Sequence, residues 1–284
     1  MEPKFVDANG LRFGYLECTP AASDVRDAPL VLCVHGFPDT AWSWDAVLPA
    51  LAAAGYRAVA PFTRGYHPTS IPADGAYDVD TLAQDLLALI PALGATRAIL
   101  VGHDWGAAAA YAATALAPAR VQLLITLAIP HLSGLRPSLR LAWMARHFLT
   151  LRLPGAAARL RANDFAQVDE LVRRWSPTWR NLPASETARV KHAFAQPGVV
   201  EAAIAYYRAI GPRIPASLRT QITVPTVAFA GEDDVVSTRL YEKARLAFDA
   251  SYEVLQVPGG HFMHREHPTE LIFELVRVLR DHAR

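Results

Sequence analysis

The sequence predicts an α/β fold in which a mostly parallel sheet is covered by helices on both faces and carries one inserted helical segment. Short apolar runs typical of strands alternate with longer stretches of helical periodicity. At 284 residues, 52% hydrophobic and 19% charged, the chain is long enough to bury one large core plus an insertion. The alternation stops near residue 133 and resumes after residue 212, and this interruption predicts the insertion.

Apolar runs predict the strands of the sheet. They are rich in Val, Leu, Ile, Ala and aromatic residues, as expected of strands that are buried on both faces. In chain order the predicted strands are 11–16, 30–34, 57–61, 98–101, 123–127, 226–230 and 252–257.

Segments with helical periodicity fill the gaps between these strands. The last of them begins with Pro268, at a first-turn position that proline favours. The predicted helices are 42–53, 80–93, 105–117, 238–248 and 268–281.

The interruption at residues 133–212 predicts a helical cap, and residues 1–132 with 213–284 form the predicted core. The cap follows a core strand and ends shortly before the next one, so we expect it over the carboxyl ends of the strands, where ligands bind in open α/β sheets. Its arginines are interpreted as a solvated helix face rather than an anion site. Bulky aromatic residues run through it: Trp143, Phe148, Phe165, Trp175, Trp179, Tyr206 and Tyr207.

Charge and composition narrow the class of partner. A formal net charge of +1, with basic residues spread along the chain, argues against nucleic acid and favours a small molecule. Cys18 and Cys33 are interpreted as packing residues rather than a disulfide. Because no signal peptide or long apolar segment is evident, we expect no membrane partner and a cytoplasmic location.

The pentapeptide Gly102-His103-Asp104-Trp105-Gly106 joins a predicted strand to a predicted helix. Small residues on either side of a central side chain predict a turn so sharp that it projects that side chain into a pocket. We therefore interpret Asp104 as a nucleophile. Its carboxylate is ionised near neutral pH, so it needs no base before attack and the base is free to activate water.

Motifs at His35-Gly36-Phe37-Pro38, at residues 102–106, at Gly231-Glu232-Asp233-Asp234 and at Gly259-Gly260-His261 occur in this order around the insertion. Together they resemble the α/β-hydrolase superfamily and, more narrowly, its epoxide hydrolase branch. The resemblance covers essentially the whole chain. It implies an α/β-hydrolase fold and a catalytic triad whose members each follow a predicted strand.

In that triad Asp234 accepts a hydrogen bond from His261 and fixes its tautomer, while the other ring nitrogen of His261 takes a proton from water. The family spacing Gly-x-x-Asp favours Asp234 over Asp233, which stays open as the alternative and is otherwise a capping or turn residue. The glycine pair before His261 distinguishes it from His264 and His267, which are interpreted as surface-loop histidines.

The resemblance also implies an oxyanion hole made by the backbone N–H groups of Phe37 and Trp105. Their side chains are expected to line a substrate pocket. The predicted pocket residues are Phe37, Pro38, Trp105, Tyr206 and Phe148. Elsewhere, His35 and His103 are interpreted as buried, hydrogen-bonded supports of the two loops.

Opening an epoxide leaves an alkoxide that must meet a proton or a strong donor, and a tyrosine hydroxyl suits that task. Residues 205–208 resemble the segment in which epoxide hydrolases carry one ring-opening tyrosine, and the register indicates Tyr207, with Tyr206 as the alternative. Most epoxide hydrolases carry a second ring-opening tyrosine earlier in the cap, and this sequence has no tyrosine at the corresponding position. His147 occupies the best-matching position, as a second donor or as a packing or surface residue.

These residues predict an enzyme that opens a small apolar or aromatic epoxide to a vicinal diol through an alkyl ester of Asp104 and without a metal or organic cofactor. A haloalkane dehalogenase is the nearest alternative, because the same aspartate and histidine serve both reactions. Trp105 offers an indole donor to a departing halide, but Phe37 offers none. A non-catalytic ligand-binding protein on the same scaffold is the second alternative.

Overall fold

The structure is a computed structural model that describes residues 1–21, 28–134, 143 and 146–282. Its centre is an eight-stranded sheet in the order β1-β2-β4-β3-β5-β6-β7-β8. Only the pairs β1–β2 and β2–β4 are antiparallel. The strands are β1 Lys4–Ala8, β2 Leu11–Cys18, β3 Leu30–Val34, β4 Arg57–Pro61, β5 Ala98–His103, β6 Val121–Leu127, β7 Thr226–Gly231 and β8 Tyr252–Val257.

Helices connect the strands and cover the sheet. Helices α2 and α3 pack against each other, and α3 follows β5 directly. The helices are α1 Val47–Ala53, α2 Val79–Ala92, α3 Trp105–Leu116, α4 Arg146–Arg152, α5 Ala156–Trp175, α6 Ala184–Phe194, α7 Val199–Arg208, α8 Thr238–Lys243, α9 Met263–Glu266 and α10 Pro268–His282.

All the predicted strands are present, and β1 is an additional one. It escaped prediction because most of its side chains are exposed at the edge of the sheet, so it lacks an apolar run. The predicted helix 42–53 is divided into a 3-10 turn, Ala41–Trp44, and α1. The predicted helix 238–248 ends at Lys243 and continues as a 3-10 turn.

Helices α4 to α7, which we call the insert helices, lie between β6 and β7 in the chain. Backbone torsion angles leave the helical range at Ala162–Phe165, so α5 is broken there into two parts. Three of the insert helices, α5 to α7, bury one face, and α4 buries Leu151. The apolar side chains of these faces join the same continuous core as the sheet.

The parallel part of the sheet positions the motifs at one edge. Strands β3 and β5 are buried along their whole lengths and end at the motifs that begin with His35 and surround Asp104. Asp234 follows β7 and His261 follows β8. Because parallel strands present their carboxyl ends at the same edge, these loops converge there.

Two further expectations concern the thiols and the membrane. Cys33 is buried in β3 and Cys18 is half-buried at the end of β2, and both are free. Among the described residues, no helix combines the length and the apolar character needed to cross a bilayer.

Candidate active site

Asp104 lies in a strained turn between β5 and α3. Its φ of 52° and ψ of −117° are rarely adopted by residues other than glycine. A Cβ atom on Gly102 would overlap the Gly106 carbonyl, and one on Gly106 would overlap the Val34 carbonyl. Glycine is therefore required on both sides of the turn, which projects the Asp104 carboxylate from the carboxyl edge of the sheet.

The two carboxylate oxygens of Asp104 have different surroundings. Oδ1 accepts a hydrogen bond of 2.8 Å from the Phe37 N–H, whereas Oδ2 lies 3.6 Å from Nε2 of His261. A Cβ atom on Gly36 would overlap the Asp104 side chain and lie 2.7 Å from the Trp105 nitrogen. The absence of a side chain at position 36 thus lets the loop after β3 approach the carboxylate.

Asp234 rather than Asp233 lies beside His261. The Asp234 side chain is fully buried, and its Oδ2 is 3.4 Å from Nδ1 of His261. Its Oδ1 accepts the Val236 N–H at 3.0 Å. Asp233 is exposed, and its backbone N–H donates to the Gly259 carbonyl. The structure therefore places the His261 imidazole between the carboxyl groups of Asp104 and Asp234.

The two neighbouring carboxyl groups determine the pKa of His261. Burial lowers its pKa, but the Asp234 and Asp104 carboxylates outweigh burial and raise the pKa to about 10. At neutral pH the imidazole is accordingly protonated, and it lies between the carboxyl groups of Asp104 and Asp234.

Tyr207 lies next to the turn at Asp104, in a cluster of aromatic rings. Its ring makes edge-on contacts of 5.1 to 5.3 Å, between centroids, with Phe37, Trp105 and Phe148. Burial, and then the charge of Asp104, raise the pKa of Tyr207 well above its usual range. The hydroxyl therefore stays protonated and able to donate.

Tyr206, which was predicted to line the substrate pocket, directs its hydroxyl group towards Arg64 instead. Its hydroxyl donates to the Arg64 carbonyl at 2.7 Å, and its ring packs between Tyr66 and Tyr77. Together with Trp105 it lines a cavity on the side of Arg64. Consecutive residues of a helix point about 100° apart, so α7 directs only one of its two tyrosines to Asp104.

The remaining predicted site residues are His147, expected as a donor, and Pro38, expected in the substrate pocket. The half-buried His147 ring lies 5.7 Å from the Tyr207 ring and 4.7 Å from the Trp175 ring. The structure thus brings His147 next to Tyr207, where a second donor was expected. Pro38 is buried and borders a second cavity with Phe262.

His35 and His103 are fully buried supports of the two loops. His35 accepts the Thr63 N–H through Nε2 and donates from Nδ1 to the Gly36 carbonyl. His103 donates from Nε2 to the His261 carbonyl at 2.9 Å. Burial lowers the pKa of both imidazoles, so each holds its loop as a neutral ring.

His264 was wrongly expected on the surface. It is buried, stacks on Trp44 with 4.9 Å between ring centroids, and has Nε2 3.6 Å from Asp39 Oδ2. Within the described part of the chain, Asp39, His103 and His264 hold potential metal-ligating atoms within 4.8 Å of one another.

Sequence reasoning missed the contribution of Trp175 and Ser176 at the end of α5. The Trp175 carbonyl accepts the His261 N–H at 2.9 Å, and Ser176 Oγ accepts the Phe262 N–H at 3.0 Å. The Trp175 ring lies 5.2 Å from the His261 ring. No local pattern signals these contacts, because they join segments that are far apart in the chain.

Comparison with known proteins gives a consistent family relationship. A family model for the alpha/beta hydrolase fold matches residues 29–268. An epoxide hydrolase of Caballeronia sordidicola is 30% identical over 290 residues, which span 89% of this chain and 88% of the relative. The AB hydrolase superfamily protein YfhM of Bacillus subtilis is 29% identical over 284 residues, 96% of this chain and 97% of that protein.

A solved structure agrees with these relatives. The crystal structure of epoxide hydrolase A from Mycobacterium thermoresistibile superimposes with a TM-score of 0.79 at 27% identity and covers 98% of both chains.

Proposed function

This chain belongs to the α/β-hydrolase fold family, in its epoxide hydrolase branch, and we propose that it hydrolyses an epoxide to a vicinal diol through a covalent alkyl ester of Asp104. The observation that carries the proposal is the asymmetric setting of the Asp104 carboxylate. Oδ1 is held by the Phe37 N–H, while Oδ2 faces His261. A carboxylate held in this way has one oxygen for attack and one for an oxyanion hole.

In the first step Oδ2 of Asp104 attacks one carbon of the epoxide ring and the carbon–oxygen bond on that carbon breaks. The Tyr207 hydroxyl donates to the ring oxygen and passes its proton to the alkoxide as it forms, with His147 as the second donor. The buried site disfavours a lasting phenolate, so Tyr207 recovers its proton before the next turnover. The product of this step is the alkyl ester.

Esterification prepares His261 for the second step. The ester is neutral, so one of the two charges that raise the pKa of His261 is removed, and the imidazole releases its proton, which restores the Tyr207 hydroxyl. Neutral His261, oriented by Asp234, then takes a proton from water, and the hydroxide attacks the ester carbonyl carbon. The resulting oxyanion is stabilised by the N–H groups of Phe37 and Trp105. Its collapse releases the diol and restores the carboxylate.

The rings around Tyr207 favour a small apolar or aromatic epoxide as substrate. A haloalkane substrate is less well supported, because Phe37 offers no side-chain donor to a departing halide while Tyr207 matches the needs of an opening epoxide. Water is the second reactant. We propose no nucleic-acid or membrane partner for this reaction.

The proposal is tested by intact-protein mass spectrometry of the His261→Gln variant, which should be alkylated but not hydrolysed. After incubation with styrene oxide we expect one added substrate mass, located on Asp104 by peptide mapping, and diol from the wild type. The double variant Asp104→Asn/His261→Gln is the matched control and should gain no mass. A stable adduct with 1-bromobutane but none with styrene oxide would instead indicate a dehalogenase.

A further inference from the structure

Arg174 departs from the solvated face expected of the insert arginines. Its Nε and Nη2 atoms are buried and have no hydrogen-bond partner among the residues that the structure describes. Burial lowers the pKa of the guanidinium, and the nearby charge of Arg146 lowers it further. Arginine nevertheless stays charged in proteins, so Arg174 is a partly buried cation with two unused donors.

Charges around Arg174 do not compensate for this burial. Glu170 lies one helical turn earlier and interacts only through its charge, since it makes no hydrogen bond to Arg174 and is itself exposed. Arg146, on α4, donates to the Trp143 carbonyl and adds a second positive charge. Buried charges without a partner are destabilising, so the site favours an anion that supplies the missing acceptors.

The two free nitrogens of Arg174 form the side edge of its guanidinium. Their N–H bonds run parallel and match the two oxygens of a carboxylate. Arg64 illustrates this geometry within the same chain: its Nε and Nη2 bind the two oxygens of Asp85 at 2.7 Å each. Arg174 presents the same edge without such a partner.

Arg174 is connected to the proposed catalytic site through the Trp175 indole. The guanidinium carbon of Arg174 is 5.6 Å from the centre of the Trp175 indole, and that indole is 5.2 Å from the His261 ring and 4.7 Å from the His147 ring. Arg146 directly precedes His147 in the chain. The cation and two of the proposed reacting groups therefore lie near the same indole.

We propose that Arg174, with Arg146 nearby, binds the carboxylate of an epoxide substrate whose ring is opened at Asp104. The substrate class is then an epoxide with a carboxylate several carbon atoms from the ring. This inference rests on the proposed function and adds the recognition of charge to it. Uncharged epoxides remain substrates, but they lack this contact and react with a higher KM.

The test compares 7,8-epoxyoctanoate with its methyl ester, which replaces the negative charge by a methoxy group. For the wild type we expect a higher kcat/KM with the acid. Arg174→Met should lower the ratio of kcat/KM for acid over ester by about 10- to 100-fold, the effect of a lost charge-assisted contact. Arg173→Met is the matched control, because it removes the same charge from the adjacent, exposed position and should leave the ratio unchanged.

Competitive inhibition of the wild type is a second measurement, and it does not depend on whether an Arg174 variant folds. Octanoate should inhibit hydrolysis of the methyl ester competitively, and octanamide of the same length should inhibit far less. Arg174→Lys keeps the charge but loses the parallel donors, so it should retain part of the preference for the acid.

Distinct outcomes separate this inference from the proposed function. Equal kcat/KM for acid and ester in the wild type, or an unchanged ratio in Arg174→Met, would overturn the carboxylate site while leaving epoxide hydrolysis intact. Equal inhibition by octanoate and octanamide would also overturn it. Failure of the wild type on both epoxides, with no adduct in His261→Gln, would instead refute the proposed function.

Discussion

Replacing Asp104 by Asn should reduce the pH dependence of stability that His261 confers. A rise in the pKa of His261 from 6.5 to about 10 corresponds to roughly 5 kcal/mol of preference for the protonated ring in the folded state. Because the folded pKa lies above the unfolded one, this contribution is complete below about pH 6.5 and is lost as the pH rises to about 10. Asp104 is one of two carboxylates responsible, so we expect the variant to lose roughly half as much over this range.

Urea unfolding of the wild type and Asp104→Asn at intervals from pH 6.5 to 10 measures this difference. Other groups that titrate in the same range are common to both proteins and cancel when the two curves are subtracted. Asp233→Asn removes an exposed carboxylate nearby and should follow the wild-type curve. Parallel loss of stability in the wild type and Asp104→Asn, or an NMR titration of His261 near 6.5 in the wild type, would refute the reasoning.

Two further substitutions test the assignment of neighbouring residues. Tyr207→Phe should slow alkylation by about 100-fold or more in single-turnover stopped-flow, as expected for loss of a general acid. Tyr206→Phe should instead cost about 1 kcal/mol of stability, because it removes the hydrogen bond to the Arg64 carbonyl, and should alter the alkylation rate little. Equal alkylation rates in the two variants would contradict the assignment. Asp234→Asn should slow hydrolysis of the ester by at least ~10²-fold, so that the ester accumulates, whereas Asp233→Asn should behave as the wild type. Accumulation of the ester in Asp233→Asn alone would assign the triad carboxylate to Asp233 instead.

Local sequence patterns sufficed for the sheet and for the turn at Asp104. Buried strands require continuous apolar runs, and the steric limits around Gly102 and Gly106 leave a recognisable motif. Strand β1 has no such run, because it lies at the edge of the sheet with most of its side chains exposed. Elements whose residues contact mainly their own neighbours in sequence were therefore predictable.

Contacts between distant segments were not predictable in the same way. His264 is buried because α9 packs it against Trp44 near the start of the chain, and nothing near His264 in sequence signals that contact. The rotation of α7, which separates Tyr207 from Tyr206, is fixed by packing against Tyr66 and Trp105. The burial of Arg174 likewise depends on where the insert helices settle.

The hydrogen bond from the His261 N–H to the Trp175 carbonyl has a consequence for protein engineering. Exchanging the segment between β6 and β7 with that of a relative is an obvious route to new substrates. Such an exchange would also replace the backbone that holds the turn after β8, and the Ser176 hydroxyl that binds the Phe262 N–H. Chimeras in which the exchanged segment ends before Trp175 keep the Trp175 carbonyl and the Ser176 hydroxyl in place. Chimeras in which it extends beyond Ser176 need the relative's segment to supply equivalent acceptors.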